Sequence, residues 1–310
     1  MKILVTGGAG FIGSHIADGF INEGHEVIVV DNLSTGKKEN INPQAKFYLM
    51  DIRSEKLEKV FKEEMVDIVC HQAAQMDIRK SVADPVYDAD VNILGTLNIL
   101  QNCISHRVKK ILFASTGGAV YGEQEVFPCN ENHPVRPISP YGVTKLSVEK
   151  YLFFYGIEYG LKYVILRYAN VYGPRQNPSG EAGVVAVFTS KLIAVEQPVI
   201  NGDGKQTRDY VFVGDVVQAN LKSLSFNGDE IFNIGTGIET DVNQIFKILN
   251  KLTGAKSQEK HGPPKKGEQR RSVIDYQKAN RLLDWNPEIR LEEGLNRTVA
   301  FFRINPQSKG

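Results

Sequence analysis

Tyr141 and Lys145 have the spacing in this chain best suited to joint chemistry. They stand four residues apart, so on a helix they share one face. A phenol has a reference pKa near 10; as a base near neutrality it must fall by about three units, roughly 4 kcal/mol in favour of phenolate. A neighbouring ammonium supplies part of that through charge proximity. Upstream, an apolar run ends at Ser115-Thr116. Thr116 could offer a hydroxyl that shares the proton with a substrate oxygen. Taken alone, the Tyr-Lys spacing is common by chance and has an ordinary structural reading as a helix face.

The elements around the pair give it a context. Met1 to Thr6 is a short apolar run of strand type. It enters Gly7-Gly8-Ala9-Gly10-Phe11-Ile12-Gly13, and a helix-like stretch follows to Glu23. A strand, a glycine-rich turn and a helix start in that order make a dinucleotide site. Gly7 and Gly10 let the chain turn tightly and approach a pyrophosphate, and the N–H groups of Phe11 and Ile12 face its phosphates. His25 to Asp31 reads as a second, buried strand. Asp31 lies eighteen residues after Gly13, where an acid accepts hydrogen bonds from the ribose hydroxyls and repels a 2′-phosphate. No arginine follows in Asn32-Leu33-Ser34-Thr35-Gly36, so the cofactor is read as NAD rather than NADP. A positively charged nicotinamide ring would add to the ammonium's effect on Tyr141.

Further strands are expected at Phe47–Met50, Val66–His71, Lys109–Ser115 and Tyr163–Tyr168. Asp51 and Ile52, at the third strand's end, could hold adenine by its exocyclic amine and its face. Gln72-Ala73-Ala74-Gln75 lets backbone pass close to a cofactor. One long helix is expected from Asp84-Pro85 to about Ser105, with Asn92 inside it, and another from Ser139-Pro140. Strand–helix alternation predicts a doubly wound parallel α/β sheet with ligands at the carboxyl ends of its strands. Tyr168 and Asn170 end the sixth strand, near nicotinamide and substrate. After residue 180 the elements shorten, so a Rossmann domain over 1–179 and a smaller substrate domain over 180–310 are expected, with returns to the main sheet near 205–238.

Composition narrows the classes. The net charge of +1 argues for neither nucleic acid nor an anionic membrane as a partner. No apolar run approaches a membrane span and no signal-peptide pattern precedes the first strand. Cys70, Cys103 and Cys129 read as free thiols in a reducing cytoplasm. The six histidines form no ligand cluster, so no metal is expected.

These residues carry a resemblance. The chain resembles the extended branch of the short-chain dehydrogenase/reductase superfamily, within its NAD-dependent epimerase/dehydratase members, and most closely the UDP-glucose 4-epimerases. The matching stretches include Thr6–Gly13, Asp31-Asn32, Asp51-Ile52, His71–Gln75, Asn92–Thr96, Val120-Tyr121-Gly122, Tyr141–Lys145 and Arg167–Gln176. Later ones are Gly202-Asp203-Gly204, Thr207–Tyr210, Phe232–Gly237 and Trp285-Asn286-Pro287. The resemblance implies inversion at C4 of a UDP-hexose through a transient 4-keto sugar, with Tyr141 as base and NAD retained. It also implies a homodimer paired through the helices near 84–105 and 140–159. Sugar-nucleotide dehydratases resemble one another in an Asp-Glu pair after the threonine, and decarboxylases in a Glu there. This chain has Gly117-Gly118, which favours simple oxidation and re-reduction. Many 4-epimerases carry Ser or Thr where Gly117 falls, so Thr116 would have to reach from one position earlier.

By the same resemblance, Asn170, the backbone at Gly183-Val184-Val185, Arg208 and Arg270 match the positions that hold the UDP portion. Arg208 can grip a diphosphate by two hydrogen bonds; a surface ion pair is its plain alternative. Arg270 lies in a basic stretch, Lys265 to Arg271, where a solvated role is equally in keeping. Ser272 stands where bulkier residues limit hexose size, so N-acetylated sugars are an alternative to glucose, as is the glucuronate series. A dehydratase or decarboxylase, or a dinucleotide sensor without turnover, are the competing classes. Leu291 to Arg303 is expected as a terminal helix, with a frayed tail from Asn305.

Overall fold

The computed structural model describes residues 1–179, 183–265 and 269–305. The expected domain boundary at 180, part of the basic stretch (266–268) and the tail beyond Asn305 lie outside the described residues.

The first half runs β1 (Lys2–Thr6), α1 (Phe11–Asn22), β2 (Glu26–Asp31), β3 (Lys46–Leu49), α2 (Leu57–Glu64) and β4 (Ile68–His71). It continues with α3 (Ile78–Ala83), α4 (Pro85–Ala89), a π-turn (Asp90–Leu94), α5 (Gly95–Ser105), β5 (Lys110–Thr116), α6 (Pro140–Tyr159) and β6 (Lys162–Tyr168). The second half holds β7 (Asn170–Tyr172), α7 (Val184–Ile193), β8 (Ile200–Asn201), β9 (Thr207–Phe212), α8 (Val213–Ser225) and β10 (Glu230–Ile234). Last come β11 (Glu239–Asp241), α9 (Val242–Thr253), β12 (His261–Gly262), α10 (Gln277–Leu283) and α11 (Leu291–Ile304).

Seven parallel strands form the main sheet in the order β10-β6-β5-β4-β1-β2-β3. The order reverses between β1 and β4, so their carboxyl ends part and open the crevice where α/β sheets bind ligands. Helices cover both faces, which is why β1, β2, β4 and β5 read as nearly unbroken apolar runs. After β6 the chain leaves the main sheet. β7, β9 and β11 make a three-stranded sheet, β8 and β12 a short pair, and only β10 returns.

The helix that carries the chemistry is well signalled. Ser139 caps α6 through Gly142 N–H, Pro140 fills its first turn, and Gly160 ends it at φ +70°. The expected long helix from residue 84 is broken. Asp77 caps an unforeseen short helix, α3, and Asp84 caps α4. The π-turn then carries Asn92, whose side chain bonds Gln75 and Thr144. These bonds satisfy Asn92 at the turn and tie it to the crevice. Such π-turns cluster at functional sites.

Candidate active site

The glycine turn is shaped by contacts only a missing side chain permits. Gly7 has φ +70°, and a Cβ there would lie 2.7 Å from Ala73 N. A Cβ on Gly13 would lie 2.2 Å from Gly7 O. The turn, the start of α1 and the loop after β4 are therefore pressed together at the crevice. Gly10 caps α1 with no side chain, and Phe11 and Ile12 form its first turn. The first N–H groups of a helix have no partners within it, which fits a pyrophosphate.

Asp31 closes β2 with its carboxylate turned to the same place. Its oxygens accept from Ala9 N at 3.0 Å and Leu33 N at 2.8 Å. Ser34, Thr35 and Gly36 follow, and Lys37 N returns to Ala9 O at 2.9 Å. A Cβ on Gly36 would sit 3.0 Å from Asp31 Oδ1. Gln72 and Ala73 are anchored to Thr6, Gln72 N to Thr6 O at 3.1 Å and Ala73 N to Thr6 Oγ1 at 3.3 Å. Ala74 and Gln75 follow in the loop after β4, and Gln75 N bonds Asn92 Oδ1 at 2.8 Å. This donor set and close-packed turn fit a dinucleotide. Asp51 already has a partner: Arg53 donates to both its oxygens at 2.8 Å and holds its carboxyl well below the usual range. Ile52 is buried, and a Cβ on Gly95 would lie 2.7 Å from its Cδ1.

Tyr141 and Lys145 occupy the first turns of α6, with Lys145 Nζ 5.9 Å from the Tyr141 ring centre. Tyr141 is half-buried, and its backbone N–H donates to Ser81 Oγ at 3.3 Å. Lys145 is buried, donates to Ala114 O at 2.8 Å and lies 4.8 Å from the Phe113 ring centre. Burial lowers the ammonium to about 8, while the Asp88 and Glu149 charges oppose that fall. Burial, then the Asp88 charge, pushes the phenol above its ordinary value. The protein alone thus favours neutral phenol and a readily lost lysine proton.

Thr116 is the last residue of β5, beside Gly117 and Gly118, and its hydroxyl accepts from Ala119 N at 3.3 Å. A Cβ on Gly118 would be 3.9 Å from both Thr116 Oγ1 and Ser272 Oγ. Ser115 donates to Glu149, part of a buried pair in which Arg167 Nη2 reaches Glu149 Oε2 at 2.6 Å. Arg167 also donates to the Tyr121 hydroxyl at 2.9 Å. Tyr168 is packed into the core, its hydroxyl accepting from Asn220 Nδ2 at 2.9 Å.

Of the other predicted residues, Arg208, Arg270 and Asn170 lie along a tract of strand contacts leading away from Gly117. A Cβ on Gly117 would touch Ile274 Cδ1 at 2.8 Å; Ser272 O accepts from Asp209 N at 2.9 Å, and Arg270 O from Thr207 N at 3.0 Å. Arg208 lies between those β9 residues, its Nη1 donating to Thr207 O at 2.7 Å. Asn170 opens β7 opposite Tyr210. Arg270 is exposed and pairs with Asp203 at 2.8 and 2.9 Å. Gly183 caps α7, with Val184 and Val185 in its first turn.

The family model described as the NAD-dependent epimerase/dehydratase family matches residues 3–235. The chain belongs to that family. It is 52% identical to a Thermotoga maritima UDP-glucose 4-epimerase solved with UDP-glucose, at TM-score 0.97, covering 99% of this chain and 100% of that one. A Thermus thermophilus UDP-glucose 4-epimerase solved with NAD is 44% identical at TM-score 0.93, over 98% and 99% of the two chains. A UDP-glucose 4-epimerase of Mycolicibacterium smegmatis is 41% identical over 99% of this chain and all of its own.

Sequence reasoning passed over Asp88, Thr144, His71 and Glu149. Glu149 had a signal, since it continues the spacing of Tyr141 and Lys145 by one more turn. The others are placed by folding alone. Among the described residues no cluster of His, Cys, Asp or Glu could hold a metal, and no helix is long and apolar enough to cross a membrane.

Proposed function

We propose that this protein is an NAD-dependent isomerase that inverts C4 of a UDP-hexose, interconverting UDP-glucose and UDP-galactose. One observation carries the reading. Tyr141 and Lys145 share one face of α6 and Lys145 reaches Ala114 O near the end of β5, after which come Gly117-Gly118 where the dehydratases resemble one another in carrying acids. The relatives' names support the same substrate class. Gly7, Gly10, Phe11 and Ile12 would hold the pyrophosphate; Asp31, Asn32, Ser34, Thr35 and Gly36 the adenosine ribose side; Asp51 and Ile52 the adenine. Gln72 to Gln75, Asn92, Ser115 and Tyr168 would frame the nicotinamide. Bound NAD supplies a hydride acceptor that later returns the hydride.

Tyr141 takes the proton of the C4 hydroxyl and Thr116 shares that hydrogen bond. The Lys145 ammonium stabilises the phenolate. The resulting 4-keto sugar turns about its pyrophosphate, held by Arg208 and Arg270 with Asn170 and the backbone at Gly183–Val185. Hydride would then return to the opposite face of C4, inverting it, while Tyr141 gives the proton back to the C4 oxygen. Ser272, small and buried beside Gly118, favours a second reading in which N-acetylated or glucuronate sugars also fit. Division into NAD-binding and sugar-nucleotide-binding parts near residue 180 belongs to this reading. So does a homodimer through α4 to α6, where Val86, Leu94, Phe153, Phe154 and Ile157 are exposed. A cytoplasmic location is supported by three buried free thiols.

The test is to incubate the purified protein with UDP-galactose and no added oxidant. UDP-glucose should form, and Tyr141→Phe should abolish nearly all turnover with NAD binding intact. Water loss or carbon dioxide release from any UDP-sugar, or a fully active Tyr141→Phe, would overturn the reading.

A further inference from the structure

Asp88 is fully buried on α4. Its hydrogen-bond partners are neutral. Oδ1 accepts from Gln75 Nε2 at 2.8 Å and Asn92 Nδ2 at 3.2 Å; Oδ2 accepts from Thr144 Oγ1 at 2.9 Å. A buried negative charge needs a cation as well as donors. The nearby acid Glu149 has its own, Arg167. Asp90, two residues on, is paired with Arg53 at 2.6 Å. Lys80 of α3 lies 4.4 Å over the Tyr87 ring. His71 of β4 is held neutral by burial and then by the Lys145 charge, at about 3. Lys145 itself bonds only the neutral Ala114 O among the described contacts. Asp88 is thus without an ion-pair partner among the described contacts, and across Thr144 its charge acts on Lys145 more strongly than that of Glu149.

We infer that Asp88 is a positioning residue for the reaction: its carboxylate pins the first turn of α6 to Gln75 and Asn92 and is the buried counter-charge of the Lys145 ammonium. The inference builds on the epimerase reading and gives that site a third charged member. Thr144 is the mechanical link. Its single proton has two acceptors, Asp88 Oδ2 at 2.9 Å and Tyr141 O at 3.0 Å, and the charged one is the stronger. Gln75 and Asn92 lie on the cofactor side, so the carboxylate also ties the proton-transfer turn to the nicotinamide's surroundings.

Asp88→Asn separates charge from position. The amide oxygen can keep the Gln75 and Asn92 bonds, and its NH2 can donate to Thr144 once that hydroxyl turns to Tyr141 O. Removing a negative charge favours loss of a proton from both neighbours. The acid limb of the kcat–pH profile, set by Tyr141, and the alkaline limb, set by Lys145, should both move to lower pH by about one unit. Asp88→Glu keeps the charge and should restore both limbs, whatever its maximal rate. A purely structural residue would lower the plateau and leave the limbs in place, and that result in Asp88→Asn would overturn the inference. Should Asp88→Asn not fold, Asp88→Ser carries the test: it should likewise move both limbs to lower pH, and unmoved limbs would overturn the inference. A wild-type protein with no epimerase activity would instead sink the functional reading, so the two failures are distinct.

Discussion

His71 makes the cofactor crevice acid-sensitive by an amount that can be worked out. It closes β4 between two hydroxyls, Nδ1 at 2.7 Å from Thr6 Oγ1 and Nε2 at 2.8 Å from Thr96 Oγ1, and is 1% exposed. Burial, then the Lys145 charge, lowers it from 6.5 to about 3. The unfolded chain therefore binds a proton between pH 6.5 and 3 that the folded protein refuses. With more protons on the unfolded side, stability rises with pH across that window and is lost as pH falls through it. Each pH unit is worth about 1.4 kcal/mol, so the full penalty is about 5 kcal/mol, and at pH 4.5 about 3 kcal/mol is already in force. The assay is reversible urea unfolding at pH 7.5 and 4.5, with NAD fixed, for the wild type and His71→Asn. The variant loses stability at both pH values because it alters the Thr6 and Thr96 contacts. The difference between the two pH values cancels that cost. That difference should be smaller in His71→Asn by about 3 kcal/mol. Equal differences in the two proteins would show that His71 is not held neutral and would refute the reasoning.

Gly13→Ala should weaken NAD binding roughly ten- to a hundredfold in titration calorimetry, because a methyl 2.2 Å from Gly7 O must displace the turn or α1; that range corresponds to losing about one charge-assisted hydrogen bond. An unchanged Kd would remove the glycine turn from the cofactor site. Arg167→Met leaves Glu149, 2% exposed, without its cation. It should cost about 3–5 kcal/mol in urea unfolding, and a variant as stable as wild type would show that the pair carries no weight.

The main sheet was legible because its physics is local. β1, β2, β4 and β5 are buried on both faces, so their apolar runs needed no knowledge of neighbours, and α6 announced itself through Ser139, Pro140 and Gly160. The π-turn was not legible. Nothing in Asp90–Leu94 marks a π-turn, and the turn is seen only with the tertiary partners of Asn92, namely Gln75 and Thr144. The same holds for Asp51, whose partner Arg53 is known only once the chain has folded.

The electrostatics show the division most sharply. Spacing alone placed an ammonium by a phenol and so suggested a lowered phenol. Folding adds burial, which opposes charge on both side chains, and Asp88, whose field raises both. The pair is left reluctant, with neutral phenol favoured and lysine near neutrality. In the proposed function such a site would gain its base only with added positive charge, which is what an oxidised nicotinamide would bring. In the function proposed above, this would couple proton transfer to cofactor binding, with Tyr141 staying protonated until the hydride acceptor is in place.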